Sequence, residues 1–253
     1  MATVVRQAFA ASAAGDRVLV IDSASIDDTA ERARRAGAEI VRAALGKGRA
    51  MAAAAEATAS PWICFLDADV SAGGSNYVAK LRAAVERTKA DHVLGEYDDA
   101  HGAILSNTLA VYEPLVAHLF PEAADRFGSK PLTGFRAVRR KVLHPDKFSP
   151  DFGIEAYLNI AILLSGGTHE LVLIGTYGGP FKYKPCMGFE IARAVLDLAE
   201  CHGRLTPTAR PAWEEWVGDA VAVIAGYRGT PEEQPALVQK LTALAARPAP
   251  PAS

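Results

Sequence analysis

The chain has 253 residues, half of them hydrophobic, and a formal net charge of −2 without a lysine- or arginine-rich tract. This length suits one α/β domain with a helical appendage, and the hydrophobic content excludes global disorder. The balanced charge disfavours a nucleic-acid partner, although an anionic small ligand needs only one or two local cations.

The cysteines and the lack of a long apolar run indicate a reducing, aqueous compartment. Cys64, Cys186 and Cys201 form no CxxC spacing, and Cys64 lies in the apolar run 62–66, where we expect a buried free thiol. Residues 1–14 lack the apolar core of a signal peptide, and no run approaches the roughly 20 apolar residues of a membrane span. We expect a cytoplasmic protein with no membrane partner.

The first part of the chain alternates strand and helix signals. Apolar or β-branched runs predict strands at 17–21, 39–41, 61–66 and 92–94, and helical patterns cover 29–36, 48–58 and 77–88. Such alternation is typical of βαβ units, with a mostly parallel sheet flanked by helices. We therefore predict an α/β domain over residues 1–185.

The second part of the chain is mainly helical. Residues 101–185 are predicted to hold helices at 104–119, 137–143 and 154–164 and a strand at 170–174. Three further helices, at 187–202, 212–226 and 233–246, form a predicted C-terminal helical extension over 186–246. The first two of these carry enough apolar residues to suggest a homodimer, although packing onto their own domain explains them too. The Pro/Ala-rich residues 247–253 are expected to be a disordered tail.

The most informative motif is Asp67-Ala68-Asp69, directly after a predicted buried strand. Open α/β sheets bind ligands at the carboxyl ends of their strands, and carboxylate oxygens suit Mg²⁺ or Mn²⁺. Alone, the motif is weak evidence, because the same spacing makes a turn that caps the next helix.

Two further motifs accompany it. The segment 22–29 (DSASIDDT) follows another predicted strand, and Gly46-Lys47-Gly48 opens a helix. Lys47 between two glycines can approach a phosphate closely, assisted by backbone N–H groups at the helix start; alternatively, it is a solvated loop lysine. Along the chain these features come in the order strand, DSASIDDT, helix, strand, GKG, helix, strand, DAD. This order is far more specific than any one of the motifs.

This order resembles the nucleotide-sugar-binding half of GT-A glycosyltransferases, which have a Rossmann-like fold. The resemblance is strong over residues 18–69, and PLTG at 131–134, Arg139-Arg140 and FGIE at 152–155 extend it to about residues 1–185. The pattern is most similar to glucosyl-3-phosphoglycerate synthases and their mannosyl relatives, which are retaining enzymes. It implies a UDP- or GDP-linked sugar, a small-molecule acceptor, and Mg²⁺ or Mn²⁺.

The resemblance also implies roles for individual residues. Nucleotide-sugar binding falls to Asp22, Ser23, Ser25, Lys47, Asp67, Ala68, Asp69 and Gly134. Asp69, with Asp67, would ligate the metal, and the catalytic set would be Glu155, Asp69 and Lys47. Acceptor binding falls to Ser106, Thr108, Thr133, Gly134 and Glu155. Independently, a carboxylate such as Glu155 on an apolar helix is costly without a partner, which favours a site role.

The sequence departs from the family at two places. Family members begin with a strand and a Pro-Ala-x-Asn-Glu-type turn that helps to hold the nucleotide, whereas residues 2–10 here resemble the family's first helix, without that strand. The family's metal-ligand histidine has no counterpart in residues 176–184, and His144 and His169 lie elsewhere. We expect weaker metal coordination, or positive charge from Lys182 instead.

A further departure concerns the acceptor. Ser106 and Thr108 align with the arginine and threonine that receive the acceptor's phosphate and carboxylate in the synthases. Because 3-phosphoglycerate carries up to three negative charges, a serine would leave most of that charge unpaired. Arg136, Arg139 and Lys182 are the cations that could compensate. We predict a less acidic acceptor, such as an intermediate of specialised metabolism, with an oxygen, nitrogen or sulfur nucleophile.

The mechanism implied is substitution at the anomeric carbon, with the metal and Lys47 neutralising the nucleoside diphosphate leaving group. A retaining enzyme needs no dedicated base, whereas an inverting one would use Glu155 or Asp151. Three alternatives stay open: a glucosyl-3-phosphoglycerate synthase proper, a nucleotidyltransferase, and a degenerate GT-A module that binds without turnover.

Overall fold

The computed structural model describes residues 2–68, 70, 76–100, 102–179, 181 and 183–252. Within them the strands are β1 (Leu19–Ser23), β2 (Glu39–Ala43), β3 (Trp62–Phe65), β4 (His92–Asp99), β5 (Arg136–Arg139) and β6 (His169–Tyr177). The helices are α1 (Ala2–Ala11), α2 (Thr29–Arg35), α3 (Lys47–Glu56), α4 (Tyr77–Arg87), α5 (Glu113–Leu119), α6 (Ile154–Leu164), α7 (Met187–Cys201), α8 (Arg210–Ile224) and α9 (Gln234–Ala245). A π-helical turn, Thr108–Tyr112, runs directly into α5.

The strands form two sheets. β1 and β2 pair in parallel, and a four-stranded sheet has the order β3-β5-β4-β6. β4 and β6 are parallel, whereas β5 is antiparallel to both β3 and β4. Helices cover both faces, which confirms the predicted α/β class and its mostly parallel strands. The turns follow local rules: Gly37 has φ 95°, and the N–H of Ala38 returns to the carbonyl of Ala33 to close α2.

Two sequence expectations are wrong. Residues 137–143 form no α-helix, only the end of β5 and a 3-10 turn at Arg140–Val142, because Ala137 and Val138 pair with both β3 and β4 and this pairing outweighs the local helix propensity. Cys64 is exposed, since the edge of β3 borders a cavity. In the tail, the carbonyl of Pro251 accepts a hydrogen bond from Trp213 Nε1 of α8 (3.1 Å), and the disorder of residues 247–253 stays a prediction.

The largest apolar cluster joins the two predicted regions of the chain. It combines buried residues of α5 and α6 with those of α7 and α8, so the C-terminal helices pack directly onto the sheet domain. The apolar residues that suggested a homodimer are buried within this one chain, apart from Phe189, which is 49% exposed. The homodimer stays a prediction. No helix in the described residues is long and apolar enough to cross a bilayer.

Candidate active site

A cavity of about 1900 Å³ extends along β1 and β3 and reaches their carboxyl ends. Its walls bring together Ser23, Lys47, Asp67 and Glu155, which are far apart in sequence. The predicted motifs therefore meet at the edge where an open α/β sheet binds its ligands.

Lys47 forms the electrostatic centre of this cavity. Its Nζ lies 2.8 Å from Asp67 Oδ1 and 2.6 Å from Glu155 Oε1. The side chain of Glu155 is only 4% exposed, so the ammonium is the partner that makes its burial tolerable. Burial alone would lower the pKa of Lys47, but the charges of Asp67 and Glu155 outweigh it and raise that pKa above its usual value. Lys47 is therefore protonated, and positively charged, at neutral pH.

The two glycines beside Lys47 allow the backbone of residues 149–150 to pack closely against them. A Cβ on Gly46 would lie 2.3 Å from the carbonyl oxygen of Pro150, and a Cβ on Gly48 would lie 1.6 Å from that of Ser149. The N–H of Gly48 donates to the carbonyl of Asp151 (3.2 Å), and the N–H of Arg49 donates to that of Pro150 (3.0 Å). The predicted use of the helix-start N–H groups for phosphate is therefore wrong for these two residues. The glycines instead admit the segment 149–151, which fixes the position of Lys47.

Polar residues at the end of β1 brace this arrangement. Ser23 Oγ donates to the carbonyl of Ala44 (3.0 Å) and accepts from the N–H of Gly46 (3.1 Å). The carboxylate of Asp22 accepts from the N–H of Ser25 (3.0 Å), and hydrogen bonds from Ser25 lower the pKa of Asp22. Ser23 and Ser25 line the cavity, whereas Asp22 does not belong to its described lining. The geometry gives Asp22 the role of closing a turn.

Gly134 sets the position of Asp67. A Cβ at Gly134 would lie 2.2 Å from Asp67 Oδ2, so any larger residue would displace the Asp67 carboxylate. Thr133 differs from its neighbour: its side chain is buried, and its Oγ1 accepts from the N–H of Phe135 (3.2 Å). Thr133 is also outside the described lining of the cavity, so its predicted contact with the acceptor finds no support.

The opposite wall carries the two residues predicted to meet the acceptor. Ser106 and Thr108 are buried and line the cavity. Asn107, which lies between them, also lines it, and its buried Oδ1 has no hydrogen-bond partner among the described residues. Because an unsatisfied buried acceptor is costly, this oxygen is suited to a ligand N–H or O–H. No sequence pattern indicated Asn107, apart from its place between the two predicted residues.

A further cation of the cavity, Lys184, was not predicted from the sequence. It lines the cavity, its Nζ lies 4.2 Å from the ring centroid of Phe152, and it forms no ion pair within the described part of the chain. The two arginines predicted to balance the acceptor's negative charge do not belong to the described lining of the cavity. Arg136 is fully buried and donates to the carbonyl of Thr133, and Arg139 stacks 4.6 Å from the ring centroid of Trp62. Lys182 lies outside the described residues.

The metal prediction can be assessed only in part. Asp69 lies outside the described residues, and the described ones contain no group of three metal-ligating side chains. Asp67 offers an oxygen ligand that is 38% exposed toward the cavity, a donor that suits Mg²⁺ or Mn²⁺. His144 and His169 lie outside the described lining, as the sequence spacing predicted. Ala68 and Gly134 are both in the lining.

Comparison with known families identifies this arrangement. The sequence model described as "Glycosyl transferase family 2" matches residues 1–144, more than half of the chain. The chain belongs to glycosyl transferase family 2. It is 33% identical over 159 residues to glucosyl-3-phosphoglycerate synthase of Mycolicibacterium smegmatis. That match covers 55% of this chain and 52% of the relative, so the chain spans about half the length of the curated relative.

Solved structures confirm the GT-A fold. Glucosyl-3-phosphoglycerate synthase from Mycobacterium tuberculosis, in complex with Mn²⁺, UDP-glucose and phosphoglyceric acid, is 25% identical with a TM-score of 0.66. The match covers 79% of this chain and 74% of that one. Mannosyl-3-phosphoglycerate synthase from Rubrobacter xylanophilus is 23% identical with a TM-score of 0.70, covering 81% and 71%.

Proposed function

We propose that this family 2 member transfers a sugar from a UDP- or GDP-linked donor to a small-molecule acceptor other than 3-phosphoglycerate. The observation that carries the proposal is the position of Lys47, which lies between Asp67 and Glu155 in the cavity beside the carboxyl ends of β1 and β3.

On the donor side, Lys47 supplies positive charge to the diphosphate. In the reaction the bond from the anomeric carbon to the diphosphate breaks, and the acceptor's nucleophile forms the new bond. Lys47 stabilises the charge that develops on the leaving group. Asp67 and Asp69 would hold Mg²⁺ or Mn²⁺, which neutralises the diphosphate when bound. Ser23 and Ser25 line the same cavity, which supports our proposal that they contact the nucleoside.

Glu155 has its place beside the transferred sugar. The ion pair with Lys47 holds this buried carboxyl group in place, where its oxygens can accept hydrogen bonds from the sugar. This suits retention, in which the acceptor approaches the face that the diphosphate leaves and passes its proton to the departing oxygen. Asp151 also lines the cavity and would serve as general base in an inverting reaction.

The acceptor proposal depends on the neutral wall formed by Ser106, Asn107 and Thr108. These side chains offer hydrogen bonds but no positive charge, so they suit hydroxyl, amine or thiol acceptors of low acidity. Lys184 is the one observation that favours the alternative, a glucosyl-3-phosphoglycerate synthase proper, because it is an unpaired cation within the described lining.

A competition assay separates these functions. The protein is incubated with UDP- and GDP-sugars and a mixture of 3-phosphoglycerate with neutral and zwitterionic acceptors, and the products are identified by mass spectrometry. We expect glycosylated neutral or zwitterionic products and little 3-phosphoglycerate conversion.

Two other outcomes would overturn this proposal. Efficient transfer to 3-phosphoglycerate that is lost in Lys184→Ala would establish the synthase activity. Tight nucleotide binding without any glycosylated product would identify a binding module without turnover.

As a matched test of the acceptor wall, Ser106→Arg should raise the use of 3-phosphoglycerate relative to neutral acceptors.

A further inference from the structure

Two side chains of opposite charge border Phe152 in the cavity. The backbone N–H of Phe152 donates to Glu190 Oε2 (3.1 Å), and the Nζ of Lys184 lies 4.2 Å from the centroid of the Phe152 ring. All three residues line the cavity. A negative and a positive group therefore lie beside the same aromatic residue, on the walls that α6 and α7 approach.

The other charges near this ring already have partners. Lys47, whose Nζ lies 6.0 Å from the ring centroid, is paired with the two carboxylates described above. Asp151 is paired with Arg193. Lys184 and Glu190, by contrast, form no ion pair with each other or with any other residue that the structure describes. Since a charge at the wall of a cavity is stabilised by an opposite charge, this pair suits a ligand that carries one charge of each sign.

These two charges adjoin the wall proposed for the acceptor. Asn107 Nδ2 donates a weak hydrogen bond to Met187 Sδ (3.5 Å), and the N–H of Met187 donates to the carbonyl of Lys184 (3.0 Å). Glu190 follows one turn later on the same helix, α7. The buried Oδ1 of Asn107, which has no hydrogen-bond partner among the described residues, thus lies beside the two charges rather than across the cavity from them.

We propose that the acceptor is a zwitterion of the α-amino-acid class, an inference that rests on the proposed function. Its carboxylate pairs with Lys184 and its ammonium with Glu190, while the O–H, N–H or S–H of its nucleophile donates to Asn107 Oδ1. An α-amino acid carries both of its charges on substituents of one carbon, so both walls are within reach of a single small molecule beside Phe152.

The same two charges disfavour the neighbouring classes of acceptor. A phosphorylated acid places two or more negative charges beside one lysine, and Glu190 repels the excess. A neutral polyol leaves both Lys184 and Glu190 without a partner, and a diamine is repelled by Lys184. Only a ligand with one charge of each sign matches both side chains at once.

Matched acceptors test this inference. Each L-amino acid that carries a hydroxyl, thiol or imidazole group is offered with UDP- and GDP-sugars in three forms: free, as the amide, which lacks the carboxylate, and N-acetylated, which lacks the ammonium. The free form should have a kcat/KM about tenfold or more above both derivatives, because each derivative loses one charge-assisted contact. Calorimetry with the nucleoside diphosphate present measures the binding of the same compounds without requiring turnover.

Two variants assign the charges separately. Lys184→Ala should remove the preference for the free form over the amide, and Glu190→Gln should remove the preference over the N-acetylated form. Both losses should appear in the KM of the acceptor and not in the affinity for the nucleoside diphosphate. Lys130→Ala is a matched control, since Lys130 also lies over an aromatic ring, 5.5 Å from the centroid of Tyr97, but outside the described lining of the cavity. Glu215→Gln, at an exposed position of α8, is the control for the carboxylate.

The outcomes separate this inference from the proposed function. Equal use of the three forms, or a preference that neither variant changes, would overturn the zwitterion while sugar transfer itself stands. Binding of free amino acids that depends on both side chains, without any glycosylated product, would support the zwitterion site and contradict the proposed function. Failure of every amino acid both to bind and to accept sugar would overturn the inference.

Discussion

The ammonium of Lys47 lies 2.6 Å from the carboxylate of Glu155, although the two residues are far apart in the sequence. The same ammonium contacts Asp67 after β3. One cation thus joins the start of α3 to both the end of β3 and the first turn of α6, and its charge is already shared between two carboxylates.

Lys47→Ala should weaken the binding of the nucleoside diphosphate by about 1.5–3 kcal/mol, the range for hydrogen bonds to charged groups. The free nucleoside should bind both proteins alike, because it carries no phosphate. Isothermal titration calorimetry measures both affinities. Lys80→Ala, which removes an exposed lysine of α4, is the control. An equal loss for nucleoside and diphosphate would point to misfolding and contradict the assigned role.

Lys47→Met should also destabilise the fold, by about 3–5 kcal/mol, since it leaves the buried Glu155 carboxylate without its cation. Urea unfolding at pH 7 measures the change. The double variant Lys47→Met/Glu155→Gln should recover most of the lost stability, because the buried charge is then gone as well. Additive losses in the double variant would show that the two residues are not coupled.

Gly134→Ala should reduce turnover about a hundredfold, because the new Cβ forces the Asp67 carboxylate away from its position, and misplacement by about 1 Å costs that much. The variant should still fold, as judged by circular dichroism. Gly218→Ala is the matched control: nothing lies within 4 Å of its new Cβ, so activity should be unchanged. Full activity of Gly134→Ala would contradict the proposed role of Asp67 in the site.

Asp69→Ala should abolish turnover, and a chelator should have the same effect on the natural sequence. The physical reason is that Lys47 alone cannot balance a diphosphate beside Asp67 and Glu155, so a divalent cation is required. Electron paramagnetic resonance should detect Mn²⁺ bound with nucleotide in the natural sequence but not in the variant. Asp98→Ala, at an exposed position of β4, is the control. Full turnover in excess chelator would reject the Asp-x-Asp assignment.

Asp91→Asn should lower the stability at pH 7 by about 1 kcal/mol. Asp91 accepts from the N–H of Thr168 (3.2 Å) and pairs with Lys141 (2.8 Å), and the hydrogen bond from Lys141 lowers the pKa of Asp91 despite burial. A carboxyl whose folded pKa is depressed stabilises the fold above its unfolded pKa of about 3.9 and loses that effect as the pH falls through the folded value. The stability difference should therefore shrink below about pH 4, as measured by urea unfolding across pH. A constant difference would contradict the charge argument.

The sequence predicted the fold where local pattern and long-range packing agree. The strands and helices of the first part appear where the alternation placed them, with small shifts at their ends. It failed at residues 137–143, whose alanine, arginines and lysine favour a helix, because the pairing of β5 with two neighbouring strands cannot be inferred from local composition.

The residues of the candidate site also fall into some that could be predicted from the sequence and some that could not. Lys47, Asp67 and Glu155 could be predicted because each lies in a recognisable motif. Asn107 and Lys184 could not, because their importance depends on which wall of the cavity they reach and on what partners they lack there. The GKG motif was predicted for the wrong reason: its glycines make room for the segment 149–151.

The large apolar cluster shared by α5, α6, α7 and α8 also determines when this protein can complete its fold during synthesis. A ribosome releases the sheet and α6 before it makes α7 and α8. Until those helices emerge, the apolar sides of α5 and α6 have no cover, and surfaces of that kind are prone to aggregation. Stalled or shortened chains should therefore depend on chaperones, and the last helices made are the ones that release the chain from that dependence.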